Sequence, residues 1–309
     1  MESLQTIKNR LRAVNNIGKI TRAMEVVAAT KMRKAQELAI SSRPYAFQVL
    51  KFLSRLIEHK TEAMSLLRDR EIKQTLMIIV SSDRGLVGSF NNQLFRQVSE
   101  FIQLNNLSPE NFRVITIGKK ATNFAEKNGY HIEQKFLNFG NMAKPGQMEN
   151  VSSLIIEGFL TGKWDRVVAV SMNFKTTITQ VVLLRQILPV SFEMIRKTVS
   201  EIIPEGGRYA GLVDLTFFDE TKTTDYIFEP SKEEILNNLV PHLIKMQFYH
   251  LMLEANASEH SARRVAMKTA SDNAAEVSDK LSMDYNKVRQ SNITRELIEI
   301  TSTQSALQN

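Results

Sequence analysis

From Ser231 to Asn309 the chain contains no glycine and a single proline, Pro241. No other feature limits the possible folds so strongly. Ser231-Lys232-Glu233-Glu234 fits a capping box, with serine at the cap and glutamate three residues later. A helix begun there would run some 75 residues, about 110 Å at 1.5 Å per residue. Its apolar seam reads Val277, Leu281, Tyr285 and Val288, then Ile293, Leu297 and Ile300. Charges around the seam are balanced, with seven bases against eight acids from Leu251 onward. A rod so long and so polar does not fold back inside one domain. It requires a long partner or an enclosing sleeve.

The other end of the chain supplies a partner. Apolar residues at Leu4, Ile7, Leu11, Val14, Ile17, Ile20, Met24 and Val27 recur in steps of three and four, the mark of a coiled-coil seam. An extra step of three near Ile17 predicts a stammer, which overwinds such a seam locally. Met32, Ala35 and Leu38 continue it, Pro44 interrupts it, and Phe47, Leu50, Leu53 and Ile57 resume it. The spacing therefore predicts one helix over residues 3 to about 58 with a kink or break at Pro44. Antiparallel pairing of the two ends is the simplest arrangement. Levelling Pro44 with Pro241 makes paired positions sum to about 285. Met24 would then stand beside Ser261, near Arg263 and Arg264. At 1.5 Å per residue, about 25 residues of the C-terminal helix, roughly 37 Å, would project alone.

The middle of the chain changes period. Leu76–Val80, Arg113–Ile117 and Arg166–Ser171 are short apolar runs bounded by turn residues, which reads as buried strands. Ile178–Leu184 adds a fourth. Helices are expected at Asn91–Asn105, after Gly118 to about Lys127, and near Gln147–Leu160. Strands alternating with helices indicate an open, mostly parallel, Rossmann-like α/β sheet. Residues 190–230 read as an irregular connection. The fold class is thus α/β plus long helices: an antiparallel two-helix coiled coil from the N- and C-terminal helices, with an inserted open α/β domain. The expected boundaries are 1–58, 59–230 and 231–309.

Composition narrows the function. There is no cysteine, which excludes disulfides, thiolate metal sites and cysteine nucleophiles and fits a reducing compartment. No apolar run approaches the roughly 20 residues of a membrane span. The helical pattern begins at Leu4, so no signal peptide is expected ahead of the fold. Of the net charge of +7, residues 1–55 account for +8, eleven Lys or Arg against three acids, and the rest sums to −1. This basic first helix is either a solvated face or the contact for an acidic partner such as nucleic acid, anionic lipid or an acidic protein surface. His59, His131, His242, His250 and His260 lack metal-ligand spacing. Gly85-x-x-Gly88 follows a strand but lacks the full dinucleotide-loop spacing. The apolar stripes imply packing and no cofactor, and no catalytic set can be located.

Three segments resemble the gamma subunit of bacterial F-type ATP synthases. They are Gly18–Gln36 followed by Ser42-Arg43-Pro44-Tyr45, then Ser82–Gly88, and Ala257–Lys268 continuing through Tyr285–Gln290 to Ile293–Ile300. The match spans nearly the whole chain in order. The resemblance implies a non-catalytic central rotor shaft, present once per complex. It would couple ion flow through a membrane c-ring to ATP synthesis or hydrolysis on a hexamer of alpha and beta subunits, with the epsilon subunit beside the α/β domain. Membrane association would be indirect, at the cytoplasmic face of the bacterial inner membrane. The resemblance places Lys19, Arg22, Met24, Arg33, Lys34, Arg263, Gln290, Thr294, Glu296 and Glu299 at the contacts with beta subunits. It places Arg43, Tyr226 and Glu229 at the foot that meets the c-ring and epsilon. The sequence departs from the family at Val87-Gly88-Ser89, where Cys-Gly-Gly is frequent. It also departs between Pro189 and Asp225, about twenty residues longer than in common bacterial forms. With no cysteine, the thiol control of chloroplast members is excluded. Two other readings compete, an α/β nucleotide-binding enzyme with helical arms and a basic coiled-coil nucleic-acid binder.

Overall fold

A computed structural model describes residues 3–41, 66–68, 70–138, 145–191, 229 and 231–307. Five helices and five strands are assigned among them. In chain order they are α1 (Leu4–Ser41), β1 (Thr75–Val80), α2 (Phe90–Leu104), β2 (Phe112–Ile117), α3 (Lys119–Lys127), β3 (Ile132–Phe136), α4 (Pro145–Leu160), β4 (Arg166–Phe174), β5 (Gln180–Leu188) and α5 (Lys232–Leu307). The expected break at Pro44 and most of the irregular 190–230 connection lie outside the described residues. The chain divides into two compact units: residues 1–28 with 264–309, and residues 29–263.

In the second unit the sheet order is β3-β2-β1-β4-β5. β1 runs parallel to β2 and β4, from Thr75 opposite Phe112 and Arg166. β3 is parallel to β2, and β5 closes the far side antiparallel to β4. The alternation within β1 sets the layers, since successive strand side chains point to opposite faces. Leu76, Ile78 and Val80 enter a core with Met148, Val151 and Ile155 of α4 and Leu243, Phe248 and Leu251 of α5. Met77 and Ile79 enter the opposite core with Leu94 and Val98 of α2 and Ala121 and Ala125 of α3. β1 is buried on both faces along its whole length, hence its unbroken apolar sequence. The expected Ile178–Leu184 strand is β5, displaced to Gln180–Leu188. β3 is absent from the sequence reading because Ile-Glu-Gln-Lys-Phe is a half-exposed edge strand with little apolar signal.

Two local features fix the helices of this unit. Gly118 turns the chain from β2 into α3 at φ +94°, and a Cβ there would meet the Ser81 carbonyl oxygen at 2.3 Å. Gly158, inside α4, lies under the Trp164 ring, where a Cβ would fall 2.0 Å from Cζ2. Trp164 is fully buried and its Nε1 donates to the Ile155 carbonyl at 2.9 Å.

In the first unit the two chain ends pack antiparallel. Asn15 accepts a hydrogen bond from Ser278 at 2.8 Å, and a Cβ on Gly18 would touch Ala274 Cβ at 3.5 Å. Paired positions thus sum to 292 or 293, one heptad beyond the 285 obtained by levelling the prolines. Met24 is level with positions 268 and 269 rather than with Ser261. Leu4, the first residue of α1, is level with positions 288 and 289 where the prolines imply 281, so the end of α5 that outruns α1 is shorter by about two turns. Proline position is a poor ruler because α5 accommodates Pro241 within the helix.

The seam itself also differs from the sequence reading. Positions 4, 7, 11, 14, 18, 21, 25, 28, 32, 35 and 39 are buried or half-buried, in steps alternating three and four without a stammer. Gly18, Thr21 and Ala28 occupy the places assigned to Ile17, Ile20 and Val27, which are 53%, 59% and 55% exposed. Small side chains let the backbones approach, and the Thr21 hydroxyl is satisfied by the Ile17 and Gly18 carbonyls at 3.0 Å each. On α5 the matching seam runs through Met267, Ser271, Ala274, Ser278, Leu281, Tyr285 and Val288, while Val277 is 46% exposed.

Candidate coupling surface

The positions expected to meet a partner fall on three stretches. On α1, Lys19 and Arg22 flank an open groove of about 340 Å³ lined also by Val14, Asn15, Gly18, Ser271, Ala274 and Ala275. The groove exists because glycine and alanine stand at the seam, and its rim is cationic. Met24 is half-buried two residues further on, with Val26 and Val27 exposed beside it. Ile17, Ile20, Val26 and Val27 are exposed elsewhere around α1, outside the groove, and α5 covers none of them. Arg33 and Lys34 are exposed on the part of α1 that belongs to the second unit.

The second stretch is the end of α5. From Arg289 through Gln304 every residue is exposed, including Gln290, Thr294, Glu296 and Glu299. Arg295 and Glu299 form an i,i+4 pair at 2.9 Å, both well exposed, and the Thr294 hydroxyl donates to the Gln290 carbonyl at 3.0 Å. Ile293, Leu297, Ile298 and Ile300 are between 49% and 63% exposed. The expected continuation of the seam through Ile293, Leu297 and Ile300 therefore has no covering helix among the described residues.

The third stretch is the middle of α5, in the second unit. Residues 250–261 are buried without interruption, polar ones included. Four of the polar side chains have a clear structural reason to be there. Glu254 accepts from Arg185 of β5 at 2.8 Å, the two side chains being 8% and 6% exposed. Ser258 Oγ donates to the Met172 carbonyl at 3.2 Å, and Ser261 Oγ to the Thr177 carbonyl at 2.8 Å. Gln180 Nε2 donates to Ser261 Oγ at 3.4 Å. Glu259 pairs with Arg263 at 2.8 Å, and Arg263 reaches the Gly85 carbonyl at 3.5 Å. Burial pushes the Glu259 carboxyl up to about 7, against the opposing pull of Arg263 and Lys31 and with Asp83 adding to the rise.

This packing bears on the nucleotide reading. In an open α/β sheet a ligand sits beyond the carboxyl ends of the strands where the strand order reverses, here between β1 and β4. Gly85 follows β1 and Met172 lies near the end of β4, and α5 bonds to both. Val87, Phe90 and Met172 pack with Ala262 in a small apolar cluster there. The crevice is filled by the protein's own helix.

The remaining expected residues are dispersed. Glu229 is exposed, while Arg43 and Tyr226 lie outside the described residues. His131 Nε2 lies 3.0 Å from an Arg113 guanidinium nitrogen, His242 is exposed, His250 and His260 are buried, and His59 lies outside the described residues. Among the described residues no group of three or more His, Cys, Asp or Glu is placed to hold a metal ion, and no helix is long and apolar enough to cross a membrane. Glu254, Ser258, Glu259 and Ser261 are not singled out by the sequence pattern. Ser258, Glu259 and Ser261 lie in the Ala257–Lys268 segment that carries the family resemblance, but for small polar residues in a long glycine-free helix solvent exposure is the ordinary expectation.

The described residues form a mixed α/β sheet that stands, in sequence, between long N- and C-terminal helices. A family model described as ATP synthase matches residues 3–307, and the chain belongs to the ATP synthase gamma-chain family. It is 35% identical over 310 residues to the ATP synthase gamma chain of Roseiflexus sp. strain RS-1, covering 99% of each chain. It is 34% identical over 312 residues to the sodium ion specific ATP synthase gamma chain of Acetobacterium woodii, again 99% of each. The fold matches a chain of the Euglena gracilis mitochondrial ATP synthase (OSCP/F1/c-ring) with TM-score 0.62 and 16% identity, over 98% of this chain and 94% of that one. It also matches a chain of the central stalk and c-ring structure of the Tetrahymena thermophila mitochondrial enzyme, with TM-score 0.58 and 22% identity, over 82% of this chain and 99% of that one.

Proposed function

We propose that this chain is the central rotor shaft of an F-type ATP synthase, catalysing nothing itself. In this reading it couples ion flow through a c-ring to ATP synthesis or hydrolysis on alpha and beta subunits, at the cytoplasmic face of the bacterial inner membrane, with epsilon beside its α/β unit. The observation that carries the reading is the end of α5. An unbroken run of exposed helical residues, Arg289–Gln304, that includes Ile293, Leu297, Ile298 and Ile300 needs an enclosing partner, because an uncovered apolar stripe is otherwise an aggregation liability. Lys19, Arg22, Arg33 and Lys34 on α1 suit an acidic partner surface. Exposed ion pairs are worth about 0–1 kcal/mol each, weak enough to be exchanged as a shaft turns past successive neighbours. Met24, Arg263, Gln290, Thr294, Glu296 and Glu299 complete the proposed beta-facing set, and Arg43, Tyr226 and Glu229 the proposed foot. Angular coupling is reciprocal: a shaft orientation that favours one state of a beta subunit is favoured by that state in return.

The test is reconstitution with alpha and beta subunits. The chain alone should hydrolyse no ATP, and cooperative turnover should require it. Full cooperative turnover by an alpha–beta assembly lacking the chain would refute the proposal.

A further inference from the structure

Glu259 and Arg263 are one turn apart on α5 and form an ion pair at 2.8 Å, with side chains 6% and 12% exposed. Arg263 also reaches the Gly85 carbonyl and lies 3.3 Å from His260 Nδ1. Asp83, on the segment after β1, presents a second negative charge to Glu259, and Lys31 of α1 a second positive one. Among the described residues, the charged groups acting on Glu259 are Arg263 from its own helix, Asp83 from that segment and Lys31 from α1, while His260 faces Arg263. An arginine folded so deeply against its own helix is not poised to meet an outside carboxylate. To do so it must leave Glu259.

We propose that Glu259 is a positioning residue for Arg263, holding the guanidinium back along α5 and surrendering it to a partner carboxylate only as Glu259 takes up a proton. The inference rests on the reading of Arg263 as a beta-subunit contact. Once the guanidinium departs, the Glu259 carboxylate is left buried between the opposing charges of Asp83 and Lys31, and a buried carboxylate that has lost its closest cation takes up a proton more readily. One proton passes from solvent to Glu259 for each Arg263 released, and no other bond changes. A carboxyl already raised to about 7 by burial takes that proton near neutral pH. The position of Arg263 is thereby linked to pH around neutrality.

The direct test is carbon-13 NMR of the full-length chain labelled at glutamate Cδ, the Glu259 signal being identified by its loss in Glu259→Gln. Its midpoint should fall near 7, and the Arg263 Nε–H signal should shift with the same midpoint. A midpoint at the ordinary 4.5, or an Arg263 signal that ignores the titration, would overturn the inference without need of any variant in the assembly. The second test is the pH profile of ATP turnover by the chain assembled with alpha and beta subunits. Glu259→Gln should flatten a severalfold change between about pH 6 and 8, and Arg263→Lys should shift it. A turnover deficit in Arg263→Ala, with the wild-type pH profile retained in Glu259→Gln, would overturn the positioning role alone. Turnover indifferent to both substitutions would remove Arg263 from the contact set as well.

Discussion

Single residues in this protein answer to packing before they answer to intrinsic preference. Gly158 lies inside a helix, where alanine is better by about 1 kcal/mol. Yet a Cβ there would fall 2.0 Å from the buried Trp164 ring, and overpacking of this kind costs about 1–3 kcal/mol or more. Gly158→Ala is therefore expected to lower the urea midpoint of unfolding, and an increase would mean that Trp164 is free to move. The buried Arg185–Glu254 pair makes a second case. Removing one partner strands the other, at about 3–5 kcal/mol, so Glu254→Ala should destabilise more than Arg185→Met combined with Glu254→Leu. Equal losses would show that a stranded Arg185 guanidinium adds no cost. Glu259 supplies a pH signature. Its carboxyl is raised from 4.5 to about 7 in the fold, so the folded state holds the proton more tightly than the unfolded chain. The stability this confers is full below about pH 4.5 and is lost as pH rises through about 7. Against Glu259→Gln, the wild type should lose up to about 3 kcal/mol across that window, measured by urea titration at successive pH values. A parallel pH dependence in both proteins would contradict the assigned burial.

At the scale of elements, the helix pair trades bulk for closeness. Ile17, Ile20 and Val27 offer the stronger apolar signal, but Gly18, Thr21 and Ala28 form the seam. Two helices that approach near Gly18 and Ala274 leave no room for isoleucine between them. Replacing Gly18 by leucine should thus force the pair apart and lower the Tm, the cost of inserting large side chains into a packed interface being about 1–3 kcal/mol. Ile20→Thr, on the opposite face, should leave stability within about 0.5 kcal/mol of wild type while weakening association with alpha and beta subunits. A reversed pattern would reinstate the seam first expected from the sequence. The register obtained by levelling Pro44 with Pro241 is one heptad out for a different reason: Pro241 lies within α5 and marks no common level of the two helices.

For the molecule as a whole, the two ends of the chain serve one unit although the whole of Ala29–Arg263 separates them. The α/β unit is therefore an insertion between two halves of a helical one. The final turns of α5 add nothing to the burial of either unit among the described residues, since Arg289–Gln304 is exposed throughout. Deleting the chain after Val288 should leave the thermal unfolding of the isolated protein nearly unchanged, yet reduce coupled ATP turnover in the assembly several-fold. A large fall in Tm would show instead that this end stabilises the chain itself.

The sequence alone established the element types, since unbroken apolar runs at β1, β2 and β4 and a glycine-free C-terminal stretch admit few alternatives. It also established the family, through motifs near both ends. Only the tertiary structure decided which face of α1 meets α5, where the register falls, that β3 and the antiparallel β5 complete the sheet, and that Glu254 to Arg263 fill the crevice above β1 and β4. Periodicity reports that a residue is apolar and how often such residues recur. Seam choice, register and buried polar contacts depend instead on how closely two backbones approach, and that distance is set by residues far apart in the chain.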